Sequence, residues 1–376
     1  MGIYDEAEFP LNWSERSNPP SEVPVNAILV SGLTENGGAP VYHRHFGGIA
    51  RLTDGRILVI YRRALGHVVS FPGEICALFV EPDYSSRSDE FVVVPYTQGI
   101  DHRDPNLCVT PTGRIVCTYT DADSAGGTVA ELKAMYSDDG GSAWSAPITF
   151  SSKFNARMYG AIKCVKHAAG YRLISSAYYF NTDDGTQKRV GYFYSDDDGR
   201  SWVEGAPVWS GTDASELSEM EIAWLDADIG FAAIRNSGVG LHWSVTADGG
   251  ATWSAPVRAS WSRPADVAPS LDVVWSNDEP YLLLGYCDRR SDQTIWRWGK
   301  AKSLSTNAES MEANAAVASP SDMVGASGYQ RTVMYPDGSM LFVEFKEYES
   351  VGGIGAPMGT DVRLVLANPG GWISAT

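Results

Sequence analysis

Apolar residues recur along this chain in paired runs, each pair split by a short polar turn. The pairs read "GGIARLTDGRILVIY" (Gly47 to Tyr61), "NLCVTPTGRIVCTY" (Asn106 to Tyr119) and "AIKCVKHAAGYRLISSAYY" (Ala161 to Tyr179). They continue with "EIAWLDADIGFAAIR" (Glu221 to Arg235), "LDVVWSNDEPYLLLGY" (Leu271 to Tyr286) and "RTVMYPDGSMLFVEF" (Arg331 to Phe345). Each predicts a strand, a tight turn carrying Asp-Gly or its equivalent, and a second strand. Successive copies lie roughly 50 to 60 residues apart, the spacing of four-stranded propeller blades. Six copies predict one all-β domain over residues 1–376, a six-bladed β-propeller. "VNAILVSGL" (Val25 to Leu33) is placed to close the last blade, and "DVRLVLA" (Asp361 to Ala367) to form its third strand. Helical periodicity is not sustained anywhere; "ESMEANAAVA" (Glu309 to Ala318) is the best candidate for a short helix.

A second repeat punctuates the first. "SDDGGSAW" (Ser137 to Trp144), "SDDDGRSW" (Ser195 to Trp202) and "TADGGATW" (Thr246 to Trp253) share the pattern Ser/Thr-x-Asp-x-Gly-x-x-Trp, starting at 137, 195 and 246. In each, Gly permits positive φ, Asp accepts backbone N–H bonds and Trp packs beneath. These boxes fit turns between the outer strands of a blade, a folding role.

Composition narrows the function classes. An apolar share of 44% and a charged share of 20% suit a globular protein. A net charge of −17 makes nucleic acid and anionic membranes poor partners. The five cysteines include no CxxC pair, so zinc and thioredoxin chemistry are disfavoured and buried thiols expected. "MGIYDEAEFPLNW" shows no signal-peptide pattern, and no apolar run is long enough to span a bilayer. That leaves a cytoplasmic chain, another release route or a missing leader equally open.

Propeller geometry brings together the residues that flank each hairpin. Arg recurs there: Arg62 or Arg63, Arg103, Arg157, Arg235, and Arg289 or Arg290. Several guanidinium groups on one face of an acidic protein suit a carboxylate ligand, which Arg grips with two parallel bonds. In "DHRDP", Asp104 is a candidate acid/base or an orienting partner for Arg103, since neighbours on a strand ordinarily point apart.

The boxes, the hairpins and the Arg ring together resemble the sialidase (neuraminidase) superfamily, over roughly residues 40 to 350. The resemblance implies a Glu early in the fourth hairpin and an Arg sixteen residues on, matched by Glu219, with Glu221 as an alternative, and Arg235. It implies a further Arg after the fifth hairpin (Arg289 or Arg290), a Tyr before the sixth (Tyr329) and a Glu at its end (Glu344). In the family mechanism the arginines hold the sialic acid carboxylate and Tyr is the nucleophile, with Glu219 as its base. Blade 1 departs from the pattern. Arg44-His45-Phe46 stands where sialidases have Arg-Ile-Pro, and "YRRALGHVVSFPGE" lacks their acid/base Asp, offering His67 and Glu74. This resembles bacterial and phage sialidase-like proteins and endosialidases, and makes His67 a candidate acid.

The resemblance implies a glycoside hydrolase acting on α-linked sialic acid or a related ulosonic acid. The expected catalytic set is Tyr329, Glu219, His67 and Asp104; the expected binding set is Arg62, Arg103, Arg235, Arg289, Arg290 and Glu344. No cofactor and no metal are expected, and the partner is a sialylated or other acidic glycan. The alternatives are an endo-acting depolymerase or lyase on an acidic polysaccharide, and a glycan-binding propeller without turnover.

Overall fold

A computed structural model of the chain describes residues 27–30, 42–67, 70–123, 130–167, 170–180, 187–212, 217–290, 293–301, 315–317, 324–335, 338–347, 360–369 and 373. Regular structure in them is almost entirely strand, and every strand pairing is antiparallel. No helix among the described residues is long and apolar enough to cross a membrane.

The strands form a propeller-like set of sheets. His43–Arg51, Ile57–Ala64, Glu74–Val80 and Phe91–Val94 make one four-stranded meander. Leu217–Trp224, Gly230–Asn236, His242–Thr246 and Val257–Arg258 make a second. Asp266–Ser276, Glu279–Asp288, Gln293–Lys300 and Ala315–Val317 make a third. In the fourth, Val324–Met334, Met340–Glu347 and Thr360–Ala367 are joined at the edge by Ala27–Val30 from the far end of the chain. Between Ile100 and Thr212 the chain builds one eight-stranded sheet. Its 20-residue strand Ile148–His167 pairs through its first part with Ala130–Ser137 and through its second with Gly170–Phe180. The helix expected near Glu309 lies mostly outside the described residues, and its Ala315–Val317 are a strand pairing with Gln293–Lys300.

The first strands of the hairpins pack side by side in a closed ring. His43–Arg51 touches Ile100–Val109, which touches Ile148–His167, and Leu217–Trp224, Asp266–Ser276 and Val324–Met334 lead back to the start. Apolar residues of these hairpins are buried between neighbouring sheets, as with Leu58, Ile60, Leu107 and Cys117. All five cysteines are free thiols, four of them buried.

The three Asp-Gly boxes adopt one geometry. The leading hydroxyl of Ser137, Ser195 or Thr246 donates to Asp139, Asp197 or Asp248 at 2.8 Å. That same oxygen accepts the N–H of Gly141, Gly199 or Gly250 at 2.9–3.0 Å. The Asp in turn takes the N–H four residues on, at 2.8–2.9 Å. Glycine is required at the fifth position: Gly250 has φ +86°, and a Cβ there would fall 2.5 Å from the Tyr192 hydroxyl. Each box joins the third strand of a meander to its outer edge.

What positions the functional face is a slip in the inner ladders. In each inner strand of the ring the pairing advances at least one residue further than its partner, as between His45 and Gly48, Arg103 and Asn106, or Gly328 and Arg331. The same occurs between Leu217 and Met220 and between Val267 and Ser270. These are β-bulges, which re-aim side chains. At five of them a non-glycine residue has positive φ: Phe46, Asp104, Asn155, Ala268 and Tyr329. Each such residue costs about 1–3 kcal/mol of backbone strain, which the surrounding sheets must hold in place.

Candidate functional site

The bulged strand ends converge on a cavity of about 530 Å³. Four of the five strained residues line it: Phe46, Asp104, Asn155 and Tyr329. A bulge lets two consecutive side chains reach one space, and Arg103 and Asp104 both line the cavity. The plain strand alternation expected for that pair does not hold here. Asp104 accepts from Arg103 Nε at 3.2 Å and also faces the cavity.

Five arginines line the cavity: Arg103, Arg157, Arg235, Arg289 and Arg331, against the carboxylates of Asp104 and Glu219. Glu219 bridges two functional groups. Its Oε1 accepts from Arg235 Nη1 at 2.8 Å and from the Tyr329 hydroxyl at 3.1 Å. The negative charge of Glu219 raises the pKa of Arg235 further. Burial, and then the charge of Glu219, push the Tyr329 phenol well above its ordinary range. Tyr329 is thus neutral at rest, with its proton already directed at a carboxylate. Tyr178, also on the wall, is pushed up to about 12 by burial and by Glu219.

Several buried polar atoms of the wall have no hydrogen-bond partner among the described residues: Glu219 Oε2, Arg235 Nε, Arg289 Nε and Arg331 Nε. An unmet buried polar atom costs about 1–3 kcal/mol. Such atoms clustered around one cavity mark a place built for a polar ligand. Burial also raises the Asp104 carboxyl above the usual carboxylate range, against the lowering pull of Arg103, Arg157 and Arg62.

Seven of the residues expected from the sequence share this cavity: Tyr329, Glu219, His67, Asp104, Arg103, Arg235 and Arg289. Three do not line it. Arg62 is fully buried in a two-bond ion pair with Asp101, at 2.8 Å for both bonds, tying adjacent inner hairpins together. Arg290 turns back onto Asp288 at 2.6 Å and Asp266 at 2.9 Å and is exposed. Glu344 is fully buried and accepts from the Thr294 hydroxyl at 2.9 Å. The alternatives fall away for similar reasons. Arg63 pairs with Glu74 at 2.7 Å and with Glu90, and Glu221 is buried against Lys163 at 3.2 Å. Arg44 pairs with Glu90 at 2.8 Å, so the arginine at the Arg-Ile-Pro position does not reach the cavity.

Sequence reasoning left Arg331, Tyr159 and Tyr178 out. Arg331 stands two residues past Tyr329 on the same strand, which was the available signal. Its guanidinium lies 4.5 Å from the centre of the Tyr159 ring. Beside the cavity, His45 is wholly buried between His43, His67, Phe46 and Tyr329. Burial, then the neighbouring His43 and His67, hold its imidazole well below the ordinary range.

Residues 88–316 match the family described as a BNR repeat-like domain. No curated protein matches the sequence. Among solved structures, a protein of unknown function from Dyadobacter fermentans DSM 18053 is 16% identical, with a TM-score of 0.71 over 92% of this chain and 100% of that one. The leech intramolecular trans-sialidase is 12% identical, with a TM-score of 0.71 over 94% of this chain and 72% of its own. The NanB sialidase from Streptococcus pneumoniae is 9% identical, with a TM-score of 0.69 over 92% and 71%. At these identities the likeness establishes a sialidase-like fold.

Proposed function

Since the chain belongs to the BNR repeat-like domain family, we propose that it is a glycoside hydrolase acting on an α-linked sialic acid or a related ulosonic acid. The observation that carries this is the Tyr329–Glu219–Arg235 chain of hydrogen bonds inside an arginine-lined cavity. The fold is that of proteins named as sialidases and trans-sialidases. We read the eight-stranded sheet as two blades sharing the strand Ile148–His167. With the closed ring of inner strands and the edge strand Ala27–Val30, this supports a single six-bladed propeller.

In this reading Arg235, Arg289 and Arg331 receive the substrate carboxylate. Their unmet Nε atoms support the assignment. The transition state carries positive charge beside that carboxylate, so a neutral phenol approaches it without the repulsion an anionic Asp would meet. The Tyr329 oxygen forms a bond to the anomeric carbon as the glycosidic C–O bond breaks. The phenol proton passes to Glu219, and the leaving oxygen takes a proton from an acid on the other side. Asp104 fits that acid, because burial favours its neutral form. Water then attacks the Tyr-linked sugar, with Asp104 as base, and the phenol recovers its proton.

The test is incubation with a fluorogenic α-sialoside, with polysialic acid and with a uronate polymer. Free sugar from the first supports exo hydrolysis, and shortened oligomers from the second an endo action. A uronate lyase is the second reading, favoured by a Tyr and a His sharing a cavity of arginines. It would yield an unsaturated product from the third substrate. Glycan binding with no product from any of them would sink the hydrolase and lyase readings together.

A further inference from the structure

Three imidazoles meet beside the cavity. His43 and His45 stand two apart on one strand, so they share a face, and both are fully buried. His67 comes from the bend after Ile57–Ala64 and lines the cavity itself. One nitrogen from each ring lies within 4.8 Å of the other two. Ring centroids are 4.9 Å apart for His43–His45, 5.2 Å for His43–His67 and 5.4 Å for His45–His67. With Zn–N bonds of about 2.0–2.1 Å and tetrahedral angles, three imidazoles on one ion have centroids about 5.2 Å apart.

Ring packing alone produces such separations, but it does not account for His45. Both of its ring nitrogens are buried, and neither has a hydrogen-bond partner among the described residues. A bulge in its strand holds the ring in this position, between the imidazoles of His43 and His67.

We propose that His43, His45 and His67 bind one first-row divalent transition metal, such as Zn²⁺, with an open coordination position facing the cavity. Three imidazoles without a thiolate select such ions over Mg²⁺ and Ca²⁺, which take oxygen ligands. Three protein ligands and an open position form the pattern of a reactive rather than a structural zinc site. The ion's neighbours include Arg289, which faces the same cavity, and Arg62, whose charge Asp101 already balances. The open position is therefore suited to an anionic oxygen, the carboxylate of an acidic sugar being the matching class. This departs from the metal-free chemistry expected from the sequence. It stands whether or not the glycosidase reading does, and it takes His67 out of the acid role.

The experiment uses the untagged full chain, stripped with a chelator, dialysed, and titrated with Co²⁺ and then Zn²⁺. The expected result is one equivalent of Co²⁺, with the visible bands of a low-coordinate nitrogen site, displaced by Zn²⁺. His67→Ala and His45→Ala should each weaken binding by more than ~100-fold, beyond the loss typical of an outer-shell change. Far-UV circular dichroism checks that each variant is folded. His67 is only half-buried, so His67→Ala decides the matter if His45→Ala does not fold. No stoichiometric binding by the wild type, or equal binding by His67→Ala, overturns the proposal. A chain that binds one equivalent yet releases no sugar leaves the metal site standing and removes the glycosidase reading alone.

Discussion

The Tyr329 hydroxyl donates at 3.1 Å to Oε1 of Glu219, the same oxygen that Arg235 holds at 2.8 Å. The two residues lie 110 positions apart and meet only because the ring of inner strands closes. If Tyr329 is the nucleophile, Tyr329→Phe should lower kcat by about 10³-fold or more. The phenyl ring fills the same buried space, so thermal unfolding should stay close to that of wild type. Glu219→Gln should lower kcat by about 10²–10⁴-fold, since a carboxamide cannot take the phenol proton. Steady-state kinetics on a fluorogenic α-sialoside checks both; a fully active Tyr329→Phe removes Tyr329 from the mechanism.

The parts of this arrangement legible in the sequence were those governed by local rules. Alternating apolar positions and Asp-Gly turns mark the hairpins, and the boxes mark the outer turns, because strand period and positive-φ glycine are short-range requirements. The bulges were not legible. Phe46, Asp104, Asn155 and Tyr329 have positive φ without being glycine, a conformation imposed by the sheets around them. Nor could the sequence separate Arg62 from Arg63, or Arg289 from Arg290. Arg62 and Arg63 are both taken up by ion pairs, with Asp101 and with Glu74, whereas beyond the end of the strand Glu279–Asp288 Arg290 turns back onto Asp288 and Arg289 is left to the cavity.

Arg62 and Arg289 should therefore fail in different ways. Arg62 and Asp101 are both fully buried. Arg62→Met would leave the Asp101 carboxylate only the Ser70 N–H at 3.3 Å and Arg103 at 3.6 Å, and breaking such a pair typically destabilises by about 3–5 kcal/mol. Denaturant unfolding should show that loss. Arg289→Ala should instead leave stability nearly unchanged and raise KM by roughly tenfold to a hundredfold, the worth of a charge-assisted bond to a carboxylate. A large KM effect from Arg62→Met in folded protein, with none from Arg289→Ala, would reverse this division.

The boxes make a prediction about acid. Hydrogen bonds from the Thr252 side chain and backbone hold the Asp248 carboxyl down at about 2. A depressed folded pKa stabilises the protein above the unfolded value of about 3.9, and that stabilisation is lost as pH falls toward 2. Asp248→Ala should lower the melting temperature by a few degrees at pH 7, with the difference from wild type shrinking between about pH 4 and 2. Activity per folded molecule should not change, since no box residue lines the cavity. A constant melting difference across that range would show that the carboxylate's charge is not what the box uses.

Asp104 carries the opposite sign. Its carboxyl is raised by burial despite three neighbouring arginines. A raised folded pKa gives stability that is full below about 3.9 and lost as pH climbs through the folded value. Asp104→Asn has no charge to bury. It should gain stability relative to wild type toward neutral pH and lose that gain near pH 4. Catalysis separates its two roles. As the acid, Asp104 matters in proportion to how poor the leaving group is. Asp104→Asn should then lower kcat/KM by about 10²–10⁴-fold on a natural glycoside and far less on an aryl glycoside whose phenolate leaves unaided. It should also abolish the alkaline fall in kcat that follows Asp104 ionisation. If Asp104 only orients Arg103, to which it is hydrogen-bonded at 3.2 Å, both substrates should suffer alike, through KM, and the alkaline fall should persist.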